Sequence, residues 1–138
     1  MTAENIPTPE GAIERRSHVV LVCPDNDAEA RMILMLAEKT GIRTIRSAQP
    51  HGARLSLEPD LFEKIADAKK PEVWIVETPG SAEEEALRQK GLGVHIIDHH
   101  TYQEVDRLTD LETGRPKLSS LEQFMLMAEI SDDELFAW

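Results

Sequence analysis

The sequence predicts a single α/β domain in which a parallel β-sheet is covered by helices on both faces, in three layers. Short runs rich in Val and Ile alternate along the chain with segments whose apolar residues recur at helical spacing. One of these runs, EVWIVE (72–77), is apolar in its middle on both faces, as expected of a strand buried between two helix layers. The 138 residues suffice for one such domain and not for two well-packed ones.

The predicted strands and helices alternate from residue 18 onward. Gly41 stops the first helix of this series, Ser81 is placed to cap the third, and Ser119 with Glu122 forms a capping-box pattern before the last. Strand–helix–strand units cross over with a right hand, which gives a Rossmann-like sheet. The predicted strands are 18–23, 42–48, 72–77 and 93–98, and the predicted helices are 28–41, 58–70, 81–91 and 119–129. The segment SDDELFAW (131–138) repeats the capping pattern, with Ser131 or Asp132 as the cap.

The two ends of the chain differ in composition from the middle. Residues 1–17 combine Pro, Gly and charge without periodicity and are predicted to form a flexible N-terminal arm, so that 18–138 make up the domain. Cys23 is the only cysteine and cannot form an internal disulfide. Because no signal segment or apolar run of about 18 residues is present, we expect a cytoplasmic protein without a membrane segment.

The charge balance narrows the classes of partner. The chain has 15 Lys and Arg against 26 Asp and Glu, a formal net charge of −11. Such a charge repels the phosphate backbone, so long duplex nucleic acid is an unfavourable partner. A bound divalent cation would reverse the field locally, and a small phosphorylated substrate such as a nucleotide or polyphosphate is therefore compatible with the sequence.

Acids and imidazoles follow three of the four predicted strands. Ligands of open parallel sheets gather at the carboxyl ends of the strands, so these side chains are predicted to converge. Carboxylates together with imidazole suit Mn²⁺, Mg²⁺ or Fe²⁺. Two such ions about 3.5 to 4 Å apart would produce a hydroxide for in-line attack on phosphorus. The residues are Asp25 and Asp27 after the first strand, Glu77 at the end of the third, and Asp98, His99 and His100 at the end of the fourth.

Each group also has a purely structural interpretation. Asp25 and Asp27 could form a turn and cap the following helix. Glu77 could be an ordinary acid at a strand end, and the His99–His100 pair could belong to a solvated loop. The structural interpretations are less convincing for the whole set than for each residue alone, because all the groups are predicted to lie at one edge of the sheet.

The ordered motifs resemble the DHH phosphoesterase family over roughly residues 18–125. The family's first motif is a strand followed by Asp-x-Asp, and LVCPDND matches it. WIVETPG matches the second motif, a strand that ends in an acid and small residues. IIDHH matches the motif that gives the family its name, and SSLEQF resembles the Ser-rich helix start that follows. The family includes single-strand exonucleases, oligoribonucleases, cyclic-dinucleotide phosphodiesterases and manganese pyrophosphatases. The resemblance implies hydrolysis of a phosphoester or phosphoanhydride with Mn²⁺ or Mg²⁺, through water activated by two ions. It implies metal contacts from Asp25, Asp27, Glu77 and His99, with His100 facing the substrate phosphate and Asp98 orienting the site from behind.

The sequence departs from the family pattern in three ways. Leu21 stands where many members have a histidine, and Glu77 replaces an aspartate and is one methylene longer. The chain ends at Trp138, before the family's fourth motif and C-terminal domain. We expect a fragment of a longer enzyme that is weak or inactive by itself.

Two alternatives to that enzyme are kept open. One is a catalytically silent DHH-like domain that binds nucleotide or a protein partner. In that case the Met-rich helix 119–129 is a surface through which copies of the chain could associate. The other is that the acids simply cap helices and the resemblance is a relic of descent.

Overall fold

A computed structural model describes residues 9–98 and 119–130. Its centre is a four-stranded sheet in which every neighbouring pair of strands is parallel, in the order β2-β1-β3-β4. Helices pack on both faces, so the predicted three-layer, Rossmann-like α/β class is confirmed. The strands are β1 (Val19–Pro24), β2 (Arg43–Ser47), β3 (Glu72–Val76) and β4 (Gly93–Ile97).

The helices begin and end close to the predicted positions. The capping box before the last helix is present, because the Glu122 amide donates to Ser119 Oγ and the Ser119 amide donates to Glu122 Oε1. Ser81 is not a cap, since it is the first helical residue and Gly80 precedes it. None of the described helices is long and apolar enough to cross a bilayer. The helices are α1 (Pro9–Arg16), α2 (Ala28–Lys39), α3 (Leu61–Ala68), α4 (Ser81–Gln89) and α5 (Ser120–Ala128), with a short 3-10 turn at Leu55–Leu57.

The core has two halves, one on each face of the sheet. Alternate residues of β1 point to opposite faces: Leu21 packs with α2 and α5, whereas Val22 packs with α3 and α4. The indole of Trp74 and the ring of Phe124 meet edge to face at 6.2 Å, which joins β3 to α5. Strands β1 and β3 are therefore apolar on both faces, as the sequence predicts for central parallel strands.

Helix α1 occupies residues that the sequence predicts as an arm without regular structure. Its last residue, Arg16, is only 3% exposed. The guanidinium donates from Nε to the Ala128 carbonyl at 2.7 Å and from Nη2 to the Glu129 carbonyl at 2.9 Å. The C-terminal carbonyls of α5 are thus satisfied by a side chain more than a hundred residues earlier. The prediction for 1–17 did not foresee this contact, and residues 1–8 lie outside the described part.

The strand order reverses between β1 and β3. After β1 the chain crosses by α2 to β2 on one side, and after β2 it returns past β1 to form β3 on the other. The chain after β1 continues into α2 on one face of the sheet, and the chain after β3 continues into α4 on the other face. In open α/β sheets the point of reversal is where ligands bind.

Candidate functional site

The loops at the reversal are anchored to the sheet by main-chain hydrogen bonds. The Asp25 amide donates to the Ser47 carbonyl at 2.9 Å, and the Glu77 amide donates to the Ile97 carbonyl at 3.0 Å. Both bonds extend the strand ladders by one residue beyond the strand ends. The acids after β1 and β3 are therefore held at the same carboxyl edge, as the sequence predicts.

Glu77 has an uncommon backbone conformation. Its φ is 44°, in the left-handed region that residues with a side chain rarely adopt. The residue is partly buried and follows the last residue of β3 directly. Backbone strain of this kind costs on the order of 1 kcal/mol or more, and it concentrates at binding and catalytic sites.

Asp27 begins helix α2. Its backbone is extended, and its Oδ1 accepts a hydrogen bond of 2.7 Å from the Ala30 amide. The structural interpretation of this acid as a helix cap is therefore observed. A carboxylate at this position also complements the positive end of the helix dipole.

Asp25 is held between two guanidinium groups. Its Oδ1 accepts from Arg31 Nε and its Oδ2 accepts from Arg46 Nη1, both at 2.9 Å. Arg46 also donates to Glu38 Oε1 at 3.0 Å. Hydrogen bonds from Arg46 and then Arg31 keep the pKa of the Asp25 carboxyl below its usual value. Asp25 is ionised at neutral pH, and both of its oxygens already have partners.

Cys23, one residue before the end of β1, lies within the electrostatic influence of the acids at this edge. The thiol is completely buried, with its sulfur 3.6 Å from the Pro24 carbonyl and 3.8 Å from the Ala30 carbonyl. Burial raises the pKa of the Cys23 thiol strongly, and the negative charges of Glu77, Asp27 and Asp25 raise it further. The negative charges of three acids, which follow two different strands, thus all raise the pKa of the Cys23 thiol. The Cys23 thiol is therefore protonated at neutral pH.

Asp98 follows β4 on the far side of Glu77. It is partly buried, and its carbonyl accepts a hydrogen bond of 3.1 Å from Gln123 Nε2 of α5. The start of α5 is therefore attached to the end of β4. His99 and His100, predicted as a metal ligand and a phosphate contact, lie outside the described residues.

The donor chemistry at the edge suits a hard divalent cation. Asp25, Asp27 and Glu77 offer carboxylate oxygen, the donor that Mn²⁺ and Mg²⁺ prefer. In the arrangement that the structure gives to residues 9–98 and 119–130, no three His, Cys, Asp or Glu side chains form a group that could hold a metal ion. A cation bound at Asp25 would compete with the guanidinium groups of Arg31 and Arg46 for the same carboxylate.

Sequence reasoning missed the two arginines. Arg31 stands in the first turn of α2, where a cation opposes the helix dipole. A cation at this unfavourable position indicates that an acid lies nearby, but the sequence does not identify which acid. Arg46 gave no such signal, because its position on the polar side of β2 is ordinary for a half-exposed strand.

A second polar cluster, also missed, supports the loop after β2. Glu58 Oε1 accepts from Ser47 Oγ at 2.6 Å and from Gln49 Nε2 at 2.9 Å, and Oε2 accepts from Lys64 Nζ at 2.9 Å. Burial alone would raise the pKa of the Glu58 carboxyl, but the three donors together outweigh it and leave the pKa below its usual value. The cluster ties the loop to α3.

No protein-family model matches this chain, and no curated protein or solved structure shows detectable similarity to it. A function for the carboxyl edge is therefore argued from its residues and their geometry.

Proposed function

We propose that this chain is the DHH-type domain of a metal-dependent phosphoesterase that acts on a phosphoester or phosphoanhydride of a nucleotide or polyphosphate. The observation that supports it most is that Asp25, Asp27 and Glu77 follow β1 and β3 at the carboxyl edge, on the two sides of the strand-order reversal, and that each of them raises the pKa of Cys23. The left-handed backbone of Glu77 at the same point is the second support.

Each residue has a role in this proposal. Asp25, Asp27, Glu77 and His99 would hold one or two Mn²⁺ or Mg²⁺ ions, as the motif resemblance implies. When bound, such ions polarise the phosphoryl oxygens and lower the pKa of water toward neutrality. Asp98 would orient the imidazole of His99 from behind, and His100 would contact the substrate phosphate.

The contacts of the acids limit the activity expected of this chain. A cation at Asp25 would compete with Arg31 and Arg46 for the carboxylate oxygens, and Asp27 already caps α2. Glu77, one methylene longer than aspartate, would displace a bridging oxygen by about 1 Å, which can cost on the order of 100-fold in rate. We therefore propose weak or absent turnover by this chain alone.

The same contacts favour the second candidate, a catalytically silent domain that binds nucleotide or protein. Asp25 and Asp27 have structural roles that need no metal. Leu126 on α5 is 66% exposed, and Met32 and Met35 on the adjacent α2 are each 40% exposed. These apolar side chains would supply a contact between copies of the chain.

Calorimetric titration of Mn²⁺ into the metal-free protein tests the first candidate. We compare the wild type with Asp25→Asn and His99→Ala, and use Asp67→Asn as the matched control, because Asp67 is an exposed acid on α3 and the charge change is the same. The proposal predicts saturable binding that weakens at least about 10-fold in the first two variants and stays unchanged in the control.

Turnover separates the two candidates. The assay uses a generic phosphodiester, a dinucleotide and pyrophosphate with Mn²⁺ present. Metal binding with even slow hydrolysis that His99→Ala abolishes would support the enzyme. Absence of Mn²⁺ binding in the wild type would reject the metal proposal. Dimerisation that Leu126→Asn disrupts would then support the silent binding domain.

A further inference from the structure

A second concave site lies at the opposite, amino edge of the sheet. Residues of α3 and α4 and of the segments that follow these helices line a cleft of about 190 Å³ there. Its floor is apolar and consists of Ile65, Leu87 and Leu92. We call it the lysine cleft, because its rim has Lys69, Lys70 and Lys90.

The charge of the cleft is opposite to that of the chain. The sequence has six lysines and a net charge of −11, yet three of the six line this cleft. Among the residues that the structure describes, no acidic side chain lines it. The three ammonium groups come from two connections, the segment after α3 and the end of α4. A low-dielectric floor beneath them strengthens their attraction for an anion.

Two contacts keep the lysines at the rim. Lys70 Nζ donates to the Ser17 carbonyl at 2.7 Å, which places it between α3 and the start of β1. Lys90 Nζ lies 5.6 Å from the centroid of the Phe62 ring, so it bridges α4 to α3. A cation near the end of a helix also complements the helix dipole, and Lys69 and Lys90 do so. The helix dipole explains why lysines stand at these helix ends, but it does not explain the apolar floor of the lysine cleft.

We propose that the lysine cleft binds a small organic anion with an aromatic or branched apolar body. The floor of Ile65, Leu87 and Leu92 would take the apolar body, and the lysines would take the carboxylate or phosphate. The volume is below the 300 to 1,000 Å³ usual for drug-sized ligands, which limits the ligand to the size of a single ring with one charged group. The site is independent of the metal proposal, because it lies at the other edge of the sheet.

Titration of amide chemical shifts by NMR tests this proposal on the full chain without metal. The probes are phenylacetate, its neutral analogue phenylacetamide, and acetate, which has the charge without the apolar body. We expect saturable shifts from phenylacetate, with a Kd on the order of 1 mM, confined to residues 62–70 and 87–92. Phenylacetamide and acetate should each bind at least about 5-fold more weakly.

Matched variants locate the binding. Lys90→Gln should weaken phenylacetate about 3-fold, whereas Lys39→Gln, an equal change of charge at an exposed lysine on α2, should leave it unchanged. Ala66→Leu fills the cleft from an exposed helical position and should abolish the saturable shifts. A retained amide spectrum shows that this variant is folded.

Three outcomes would overturn the proposal. Equal binding of phenylacetate and phenylacetamide would show that the lysines take no part. Equal binding of phenylacetate and acetate would show only a diffuse attraction for anions. Shifts at the cleft that depend on protein concentration and not on phenylacetate would identify it as a contact between copies of the chain. Failure of Mn²⁺ binding at the carboxyl edge would leave all three comparisons unaffected.

Discussion

The two edges of the one sheet have opposite charge chemistry. At the carboxyl edge, Asp25, Asp27 and Glu77 act together on the buried Cys23. At the amino edge, Lys69, Lys70 and Lys90 surround an apolar cleft, and nearby Arg16 binds the end of α5. The net charge of −11 therefore has the sign of the acids at the carboxyl edge and conceals the basic cleft at the amino edge.

Part of this difference has a structural cause. Helices that connect parallel strands run against the strands, so their N-termini lie at the carboxyl edge and their C-termini at the amino edge. Acids at the first and cations at the second both complement the helix dipoles. Features that the dipole does not explain are the better guide to function. They are the left-handed Glu77, Arg31 in the first turn of α2, and the apolar cleft among the lysines.

The amino edge provides the largest expected effect. Arg16→Met removes the donors to the Ala128 and Glu129 carbonyls and leaves them buried without that partner. We expect the free energy of unfolding to fall by about 3 kcal/mol, measured by urea denaturation. Arg15→Met is the control, because Arg15 is about half exposed where it pairs with the partly buried Glu129, and its loss should cost less than about 1 kcal/mol. Equal effects of the two variants would contradict a special role of Arg16.

The second-largest expected effect concerns the hydrogen bonds of Glu58 at the carboxyl edge. Its three partners all donate, so the amide of Glu58→Gln must point a donor at another donor. We expect a loss of about 1.5 kcal/mol in the free energy of unfolding at pH 7. Glu63→Gln, an exposed position on α3, should change it by less than about 0.5 kcal/mol.

The same variant has a pH signature with a defined sign. Because the folded pKa of Glu58 is lowered, its contribution is present above the unfolded pKa of about 4.3 and is lost as the pH falls through the folded pKa. The wild type should therefore lose its advantage over Glu58→Gln on acidification below about pH 4.3. A constant difference between the two proteins down to strongly acidic pH would show that the carboxylate charge is not what stabilises the loop.

The smallest effect concerns the competition between arginine and metal at Asp25. In Arg46→Gln the pKa of Asp25 should rise, because its largest stabilising partner is gone. Under the proposed function, Mn²⁺ should bind about 3-fold more tightly, since less must be displaced. Arg43→Gln is the control, because it makes the same change of charge at an exposed position on β2. It separates the loss of the Arg46–Asp25 contact from the general effect of removing one positive charge. If the two variants bind Mn²⁺ alike, Arg46 does not compete for a metal ligand.

Local patterns predicted most of the fold. Within residues 19–98 and 119–130, the four strands and four helices lie where the sequence pattern predicts them, and the Ser119 capping box is formed. The predicted helix start at Ser131 or Asp132 lies outside the described residues. The two errors also arise from local sequence. Gly80, not Ser81, is the residue that precedes α4. Helix α1 was not predicted because it lacks the apolar periodicity by which the other helices are recognised. Helix α1 is held instead by Arg16, whose partner is far along the chain.

The sequence by itself determined which residues form strands and helices, because side-chain period and caps act over a few neighbouring residues. It also determined that acids follow β1 and β3, since every strand of a parallel sheet ends at the same edge. Only the tertiary structure decided that β3 lies beside β1, and that Arg46 reaches Asp25 across 21 residues. The physical reason is that strand order and ion pairing between distant residues depend on how whole layers pack, and no short pattern contains that information.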